Sequence, residues 1–353
     1  RGRYYLPGDG FLEWTMNRQA VYFTQPGAVE IREEALPPLT PGRVLVKTLL
    51  TAVSSGTEML VYRHQVPSNL SLDSTIAALS GNFDYPLKYG YSAVGRVIEL
   101  GQGVDRSWQD KLVFAFHPHE SHFIAAPEEL LPLPEDVAPE DAIFLANMET
   151  AVNFLMDGQP IIGEQVVVFG QGIVGLLTTA LLAQFPLGKL ITVDKYPLRR
   201  RVSQDIGASC CLEPAGLPEK ISPLLHSGNT HGADLVFELS GNPEAFNQAI
   251  AITGFDGRIV LGSWYGQKTV NLELGGRFHR SRIRLISSQV STLSPGLTGR
   301  WNKARRLEVA WRMLAGIKPS RLISHRFAVA QAPAAYQFLD NNPGEALQVV
   351  FTY

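Results

Sequence analysis

The stretch from Gln165 to Ala183, QVVVFGQGIVGLLTTALLA, limits what this chain can fold into more than any other. A continuous apolar run over 166–169 breaks at Gly170. The pattern Gly170-x-Gly172-x-x-Gly175 then opens a second apolar run of helical length, with no proline before Pro186. Such a run predicts a buried parallel strand, a tight turn and a helix. Gly170 lets the chain reverse, Gly172 lets backbone N–H groups approach a pyrophosphate, and Gly175 lets the helix lie close to the sheet. With Gln171, Ile173 and Val174 completing the turn, the helix N-terminus presents unpaired N–H groups and partial positive charge to an anion. About 20 residues on, a second apolar strand over 190–193 ends in Asp194, where a carboxylate can accept from ribose hydroxyls. Strand, glycines, helix, strand and acid in that order predict a dinucleotide site, against the alternative of a glycine-rich turn in a cofactor-free α/β domain.

A chain of 353 residues is long enough for two domains and a large core. With 45% hydrophobic and 18% charged residues and a formal net charge of −2, nothing in its balance points to nucleic acid or to an acidic membrane surface. The expected partner is a small-molecule substrate. Cys210 and Cys211, the only cysteines, are adjacent and poorly placed to pair. They read as free thiols in a reducing compartment, and they leave no cysteines for a cysteine-rich zinc lobe. The longest apolar run, within 172–185, is too short to span a bilayer, and no secretory signal precedes a small-residue cleavage site, so the expected location is the cytoplasm. The character of the chain changes at Met16, and residues 1–15 read as an extension.

From Met16 the pattern is short alternating runs, at 20–23, 29–33, 44–52, 95–100, 111–116 and 122–125, set apart by Pro-Gly and Gly-x-Gly turns. These predict a small barrel-like β domain. The segment 62–86 has no period and is placed to cover a pocket. From Asp141 the period turns helical and leads into the glycine strand. Beyond Asp194, strands expected at 233–239, 258–262 and 283–290 alternate with helices, which predicts a doubly wound parallel sheet. A helix over 302–316 and strands at 324–329 and 346–353 end the chain in the style of its first domain.

These residues resemble the medium-chain dehydrogenase/reductase superfamily. The likeness rests on PPLTPGRVLVKTLLTAVSSGTE, YPLKYGYSAVGRVIELG, the Gly170 loop, ELSGNPEAFNQAI and GRIVLGSWYG. The tract FHRSRIRLISSQV, with VFAFHPHESHFIAAPEELLPLP, is most similar to the branch containing hydroxyethyl bacteriochlorophyllide dehydrogenase. The resemblance implies an α/β fold. A GroES-like β-barrel catalytic domain would occupy 16–144, a Rossmann doubly wound sheet 145–288, and a return to the catalytic domain 289–353. It also implies a nicotinamide cofactor and a homodimer. Where zinc-dependent members carry Cys and Gly-His-Glu, this chain has Ser55 and Gly90-Tyr91-Ser92, and hydroxyls of this kind hold zinc poorly as neutral groups. The expectation is therefore a zinc-independent oxidoreductase interconverting a secondary alcohol and a ketone. A zinc-free reductase of an activated double bond or quinone, and a nucleotide-binding protein without turnover, are the alternatives. The run from His117 to His122, joined by Glu149, is the remaining route to a metal. Alternation there would put His117 and His119 on one face and Glu120 and His122 on the other.

Without a metal, the alkoxide-like charge of hydride transfer needs a phenol, imidazole or hydroxyl. Tyr91 occupies a former ligand position and is the first candidate, with Lys88 or the cofactor to lower its pKa; the alternative is a tyrosine packing a vacated pocket. Thr57 matches the family's relay hydroxyl, His119 can take a proton at neutral pH or be a satisfied loop histidine, and Ser55 stands beside them. Glu58 and Glu149 flank the region as catalytic groups or as partners in ion pairs. On the cofactor side, Asp194 favours NAD because it repels a 2′-phosphate, while Lys195, Arg199 and Arg200 leave NADP open. Thr150, Ser240, Gly241, Asn242, Gly262 and Ser263 fall where the cofactor lies beyond the carboxyl ends of the strands. Trp264 and Tyr265 can stack on a flat substrate or pack under a loop. Alternation over Arg280, Arg282 and Arg284 predicts one basic face, either a clamp for an anion or a solvated edge.

Overall fold

The computed structural model describes residues 16–67, 69–73, 75–76, 78–225 and 231–353; the expected extension at 1–15 lies outside them. Alternating residues from Asn17 onward form β1 (Asn17–Gln25) and β2 (Ala28–Ala35), antiparallel across a turn where Gly27 takes a φ of +76°. Next come β3 (Val44–Ala52), α1 (Ser55–Tyr62), the short β4 (Leu87–Lys88), β5 (Ala93–Leu100), β6 (Leu112–Ala115), β7 (His122–Ala125) and β8 (Leu130–Pro132). They make two layers, one of β2-β1-β4 and one built on β3-β5-β6-β8, with β7 paired to β3. Between them lies an apolar core that includes Phe23, Leu60, Phe83 and Tyr89. The strands expected at 111–116 and 122–125 form as β6 and β7, but the alternation expected to run on from the strand end through His117–His122 does not. Between β6 and β7 the chain leaves the ladder, so the period-two reading of the histidine run has no strand to act on.

Helices α2 (Pro139–Ala142) and α3 (Leu145–Gly158) lead into β9 (Gln165–Phe169), whose five residues are all buried, and α4 (Ile173–Leu182). Then follow β10 (Lys189–Val193), α5 (Pro197–Ile206), β11 (Cys210–Leu212), α6 (Leu217–Ile221), β12 (Ala233–Glu238), α7 (Pro243–Ile252), β13 (Thr253–Leu261) and β14 (Arg284–Ser287). All pairings are parallel, in the order β11-β10-β9-β12-β13-β14. Numbered from β9, this is the Rossmann order 3-2-1-4-5-6, with its switch point between β9 and β12. A buried parallel sheet needs apolar runs rather than alternation, which is why these strands read continuously in the sequence.

The chain then returns through α8 (Lys303–Ile317), β15 (Ile323–Ala328), α9 (Ala332–Asn341) and β16 (Gln348–Thr352). β16 lies antiparallel on β3, Val350 opposite Ala52, and carries β15 into the first domain's sheet. The basic tract is not a strand face. Arg280 precedes a turn, Arg282 has a φ of +53°, and only Arg284 enters β14, where it meets Asp256. Among the described residues no helix is long and apolar enough to cross a membrane.

Candidate active site

The break between β3 and α1 brings three hydroxyls together. Ser54 precedes α1, and its Oγ is hydrogen-bonded to the Tyr91 hydroxyl; Thr57, one turn into the helix, has Oγ1 3.3 Å from the same oxygen. Thus the Tyr91 and Thr57 expected from sequence do meet. The serine that reaches the phenol is Ser54, which the sequence reading passed over, rather than the half-buried Ser55. Burial, opposed by the two hydroxyls and reinforced by Glu58 and Asp73, holds the Tyr91 phenol above its usual range. Lys88 does not lower it, because its ammonium is taken by Glu34 at 2.9 Å and Glu120 at 2.5 Å. Arg18 joins the same two carboxylates, at 2.9 Å each.

Behind the hydroxyls, Glu58 is fully buried and richly bonded. Its Oε1 accepts from the Ser54 N–H at 2.7 Å, and its Oε2 from the Tyr336 hydroxyl and from His119 Nε2, the latter at 3.0 Å. His119 has no exposed surface, and its Nδ1 lies 2.7 Å from Thr51 Oγ1. Of the two readings of His119, this geometry fits the satisfied loop histidine rather than the acceptor of a substrate proton, since both ring nitrogens are committed inside the core. Gly90 makes room for it: φ is +119°, and a Cβ there would lie 2.8 Å from the imidazole. His117 has partners of its own, none shared with His119. Its ring stacks on Phe123 at 3.9 Å with Nδ1 3.8 Å from Glu120, and burial pushes it down to about 3.

The glycine loop is built as its spacing requires. A Cβ at Gly170 would come within 2.6 Å of the Leu239–Ser240 backbone, and one at Gly175 within 1.9 Å of the Gly170 carbonyl oxygen. Gly172, the residue before α4, stands open, with Arg199 Nη1 as its nearest neighbour at 3.9 Å. Ile173 and Val174 begin the helix, whose first N–H groups have no partner within it. Asp194 binds the loop itself, accepting from the Gln171 N–H at 2.7 Å and the Tyr196 N–H at 2.8 Å. A carboxylate has about four acceptor sites, so capacity for ribose hydroxyls remains. The Gln171 side chain is fully buried against Gly170 and Thr179 and contributes only backbone. Lys195 and Arg199 lie on the Tyr196 ring, at 4.7 and 4.8 Å, and Arg200 donates to the Asp194 carbonyl.

At the ends of β12 and β13, Gly241 N–H donates to Ser263 Oγ at 2.8 Å. Ser240 bonds the buried Glu238 through both its N–H and its hydroxyl, and Asn242 caps α7. Gly262 is a packing glycine, because a Cβ would lie 2.3 Å from the Phe154 ring. Thr150 turns its hydroxyl back onto the Ala146 carbonyl. Tyr265 donates to Glu238, and Trp264 packs on Phe83 at 6.0 Å, both rings remaining partly exposed.

The positions that carry metal ligands in zinc-dependent relatives by the resemblance hold the wrong donors here. Tyr91 is on Ser54, and Ser92 Oγ is spent on the Ile143 carbonyl at 2.6 Å. Glu149 is locked to the fully buried Arg306, whose Nη2 lies 2.9 Å from its Oε1. A neutral phenol and aliphatic hydroxyls with a carboxylate already neutralised by guanidinium do not fit a zinc ion. The expected alternative set of His117, His119 and Glu149 does not converge, and the described residues contain no group of three or more His, Cys, Asp or Glu that could hold a metal.

A GroES-like β domain, closed by the returning tail and joined to a Rossmann sheet, is the architecture of the alcohol dehydrogenases of the medium-chain type. Residues 174–307 match the family described as zinc-binding dehydrogenase. The zinc-type alcohol dehydrogenase-like protein YphC of Escherichia coli K12 is 24% identical, over 95% of this chain and 98% of that protein. D-guloside 3-dehydrogenase of the same organism is 24% identical over 75% and 77%. An alcohol dehydrogenase of Escherichia coli CFT073, solved with NADH, superimposes with a TM-score of 0.77 at 18% identity, covering 96% of this chain and 99% of that one.

Proposed function

We propose that this protein is a nicotinamide-dependent oxidoreductase that interconverts a secondary alcohol and a ketone without zinc, using the Tyr91 phenol as its acid. The observation that carries the reading is Tyr91 itself, held by Ser54 and Thr57 where relatives place a metal ligand. The bound cofactor supplies or accepts the hydride. Tyr91, kept protonated by burial and by Glu58, donates its proton to the carbonyl oxygen as the hydride arrives, and Thr57 and Ser54 pass a replacement proton to the phenolate. In the opposite direction the phenol must first lose its proton, so a raised pKa favours ketone reduction near neutral pH. Asp194 on the glycine loop supports NAD over NADP, with Arg199 beside it leaving NADP as the second choice. Exposed β14 at the sheet edge supports a homodimer, which light scattering reads directly.

The test is turnover of secondary alcohols and their ketones, including flat and bulky ones, with and without a strong chelator. Activity should survive the chelator, and Tyr91→Phe should lower kcat by about 10²- to 10⁴-fold with cofactor affinity kept. Loss of activity on chelation would sink the zinc-free reading; a Tyr91→Phe variant of normal rate would move the proton to another group. Turnover of enones or quinones alone would select the double-bond reductase instead.

A further inference from the structure

The hydrogen bonds behind Tyr91 form one continuous chain whose sense is fixed at the Glu58 carboxylate. Glu58, when ionised, can only accept. Tyr336 therefore donates its hydroxyl to Oε2, and His119 donates Nε2–H to the same oxygen. On the far side of the imidazole, Nδ1 meets Thr51 Oγ1, and Thr51 Oγ1 lies 3.0 Å from the Tyr353 hydroxyl. The other carboxylate oxygen, Oε1, holds the Ser54 N–H. That N–H belongs to the residue whose hydroxyl bonds the phenol, and Thr57 precedes Glu58 on the same helical turn.

We propose that the buried Glu58–His119 pair is a positioning device for Tyr91: Glu58 holds the Ser54 backbone, and with it the Ser54 and Thr57 hydroxyls, while His119 and Tyr336 hold Glu58. The importance of Tyr91 to turnover rests on the function proposed above; the positioning does not. The elements that meet in this device are α1, the loop before β7, β3, α9 and the residue after β16, so it has one arrangement rather than several. A fully buried carboxylate is expensive, and an apolar replacement of such a network is often no less stable, so the network is better explained by the geometry it imposes than by stability. The ionisable groups facing the phenol are Glu58 on α1, Asp73 in the segment after it, and Tyr89, whose ring meets Tyr91 edge-on at 6.3 Å. Glu120 lies near the Tyr353 end of the chain.

The test uses protein labelled with ¹³Cζ-tyrosine, the Tyr91 signal being assigned by its loss in Tyr91→Phe. Glu58→Gln should move that signal and lower the pH at which it titrates. It should reduce kcat by on the order of ten- to hundredfold, as misplacement of a reacting group does, with cofactor affinity unchanged. In a Tyr91→Phe background the same substitution should cost less than about twofold, because its effect runs through the phenol. His119→Gln, which can donate to Glu58 and accept from Thr51, should hold the Tyr91 signal near its place. His119→Phe should displace it, and Thr51→Val and Tyr353→Phe, milder cuts in the same chain, should displace it less. An unmoved Tyr91 signal in Glu58→Gln, or losses that multiply fully in the double variant, would overturn the proposal. A Tyr91 signal that moves with Glu58→Gln while Tyr91→Phe turns over normally would leave the positioning standing and refute the phenol as acid.

Discussion

Replacing Gly175 by alanine separates what the glycine loop does for the fold from what it does for the cofactor. The new Cβ would stand 1.9 Å from the Gly170 carbonyl oxygen and 2.9 Å from its carbon, where real Cβ atoms stay beyond 3.0 Å of such neighbours. Helix α4 or the loop must retreat by about 1.1 Å, the gap from 1.9 to 3.0 Å, and because both contacts are backbone no side chain can absorb it. Overpacking of this kind costs about 1–3 kcal/mol, offset by about 1 kcal/mol from alanine's better helix propensity. Displaced N–H groups lose a charge-assisted bond to phosphate worth roughly 1.5–3 kcal/mol, or about 10- to 100-fold in cofactor Kd. Gly172→Ala is the contrast. Its Cβ has only Arg199 Nη1 near, at 3.9 Å, so the free protein should keep its Tm, yet the methyl stands where the pyrophosphate must approach. NADH fluorescence titration and calorimetry read both. Unchanged NADH affinity in both variants, or a Tm loss in Gly172→Ala equal to that in Gly175→Ala, would refute the assignment of these glycines.

Arg306→Met leaves the buried Glu149 carboxylate unpaired and should cost about 3–5 kcal/mol in denaturant unfolding, with Glu149→Gln in the same chain recovering much of it. A single variant as stable as the parent would mean that the pair is not what holds α8 to α3. His117 gives an acid limb: burial pushes it down to about 3, so the unfolded chain takes up a proton that the folded one refuses as pH falls below about 6.5. That penalty is absent above the unfolded value, grows between about 6.5 and 3, and reaches at most roughly 5 kcal/mol. Burial raises the carboxyl of neighbouring Glu120, which works in the opposite sense. His117→Phe keeps the stack on Phe123 and should flatten the stability profile over this window; an unchanged slope would place the acid sensitivity elsewhere.

The Rossmann half was legible because its signals are local. Buried parallel strands read as apolar runs, and the three glycines fall in one six-residue turn, where Gly175 packs on the Gly170 carbonyl and Gly172 stays open. Ser54 was not legible. Only the turn from β3 into α1 decides whether Ser54 or Ser55 faces the phenol, and α1 has no strong apolar stripe to announce it. The histidine run misled because alternation was carried past the end of β6 into a loop, where His117 and Glu120 come together at a spacing of three. Lys88 misled differently. Its role is set by a carboxylate 32 residues away, and a pairing of that range leaves no periodic trace in a single sequence.

On the function proposed here, the return of the chain to its first domain belongs to the site as much as to the fold. A metal fixes its ligands by coordination wherever they stand in sequence; hydroxyls need other groups to aim them. Here those groups come from the tail: Tyr336 reaches Glu58 across 278 residues and Tyr353 reaches Thr51 across 302. Gln348, buried beside them on β16, donates to the Val53 carbonyl immediately before Ser54. α9, β16 and Tyr353 after it therefore grip both flanks of the β3–α1 turn. A site of this kind gains its accuracy only when the last strand has docked, so tail docking and the aim of the phenol become one event.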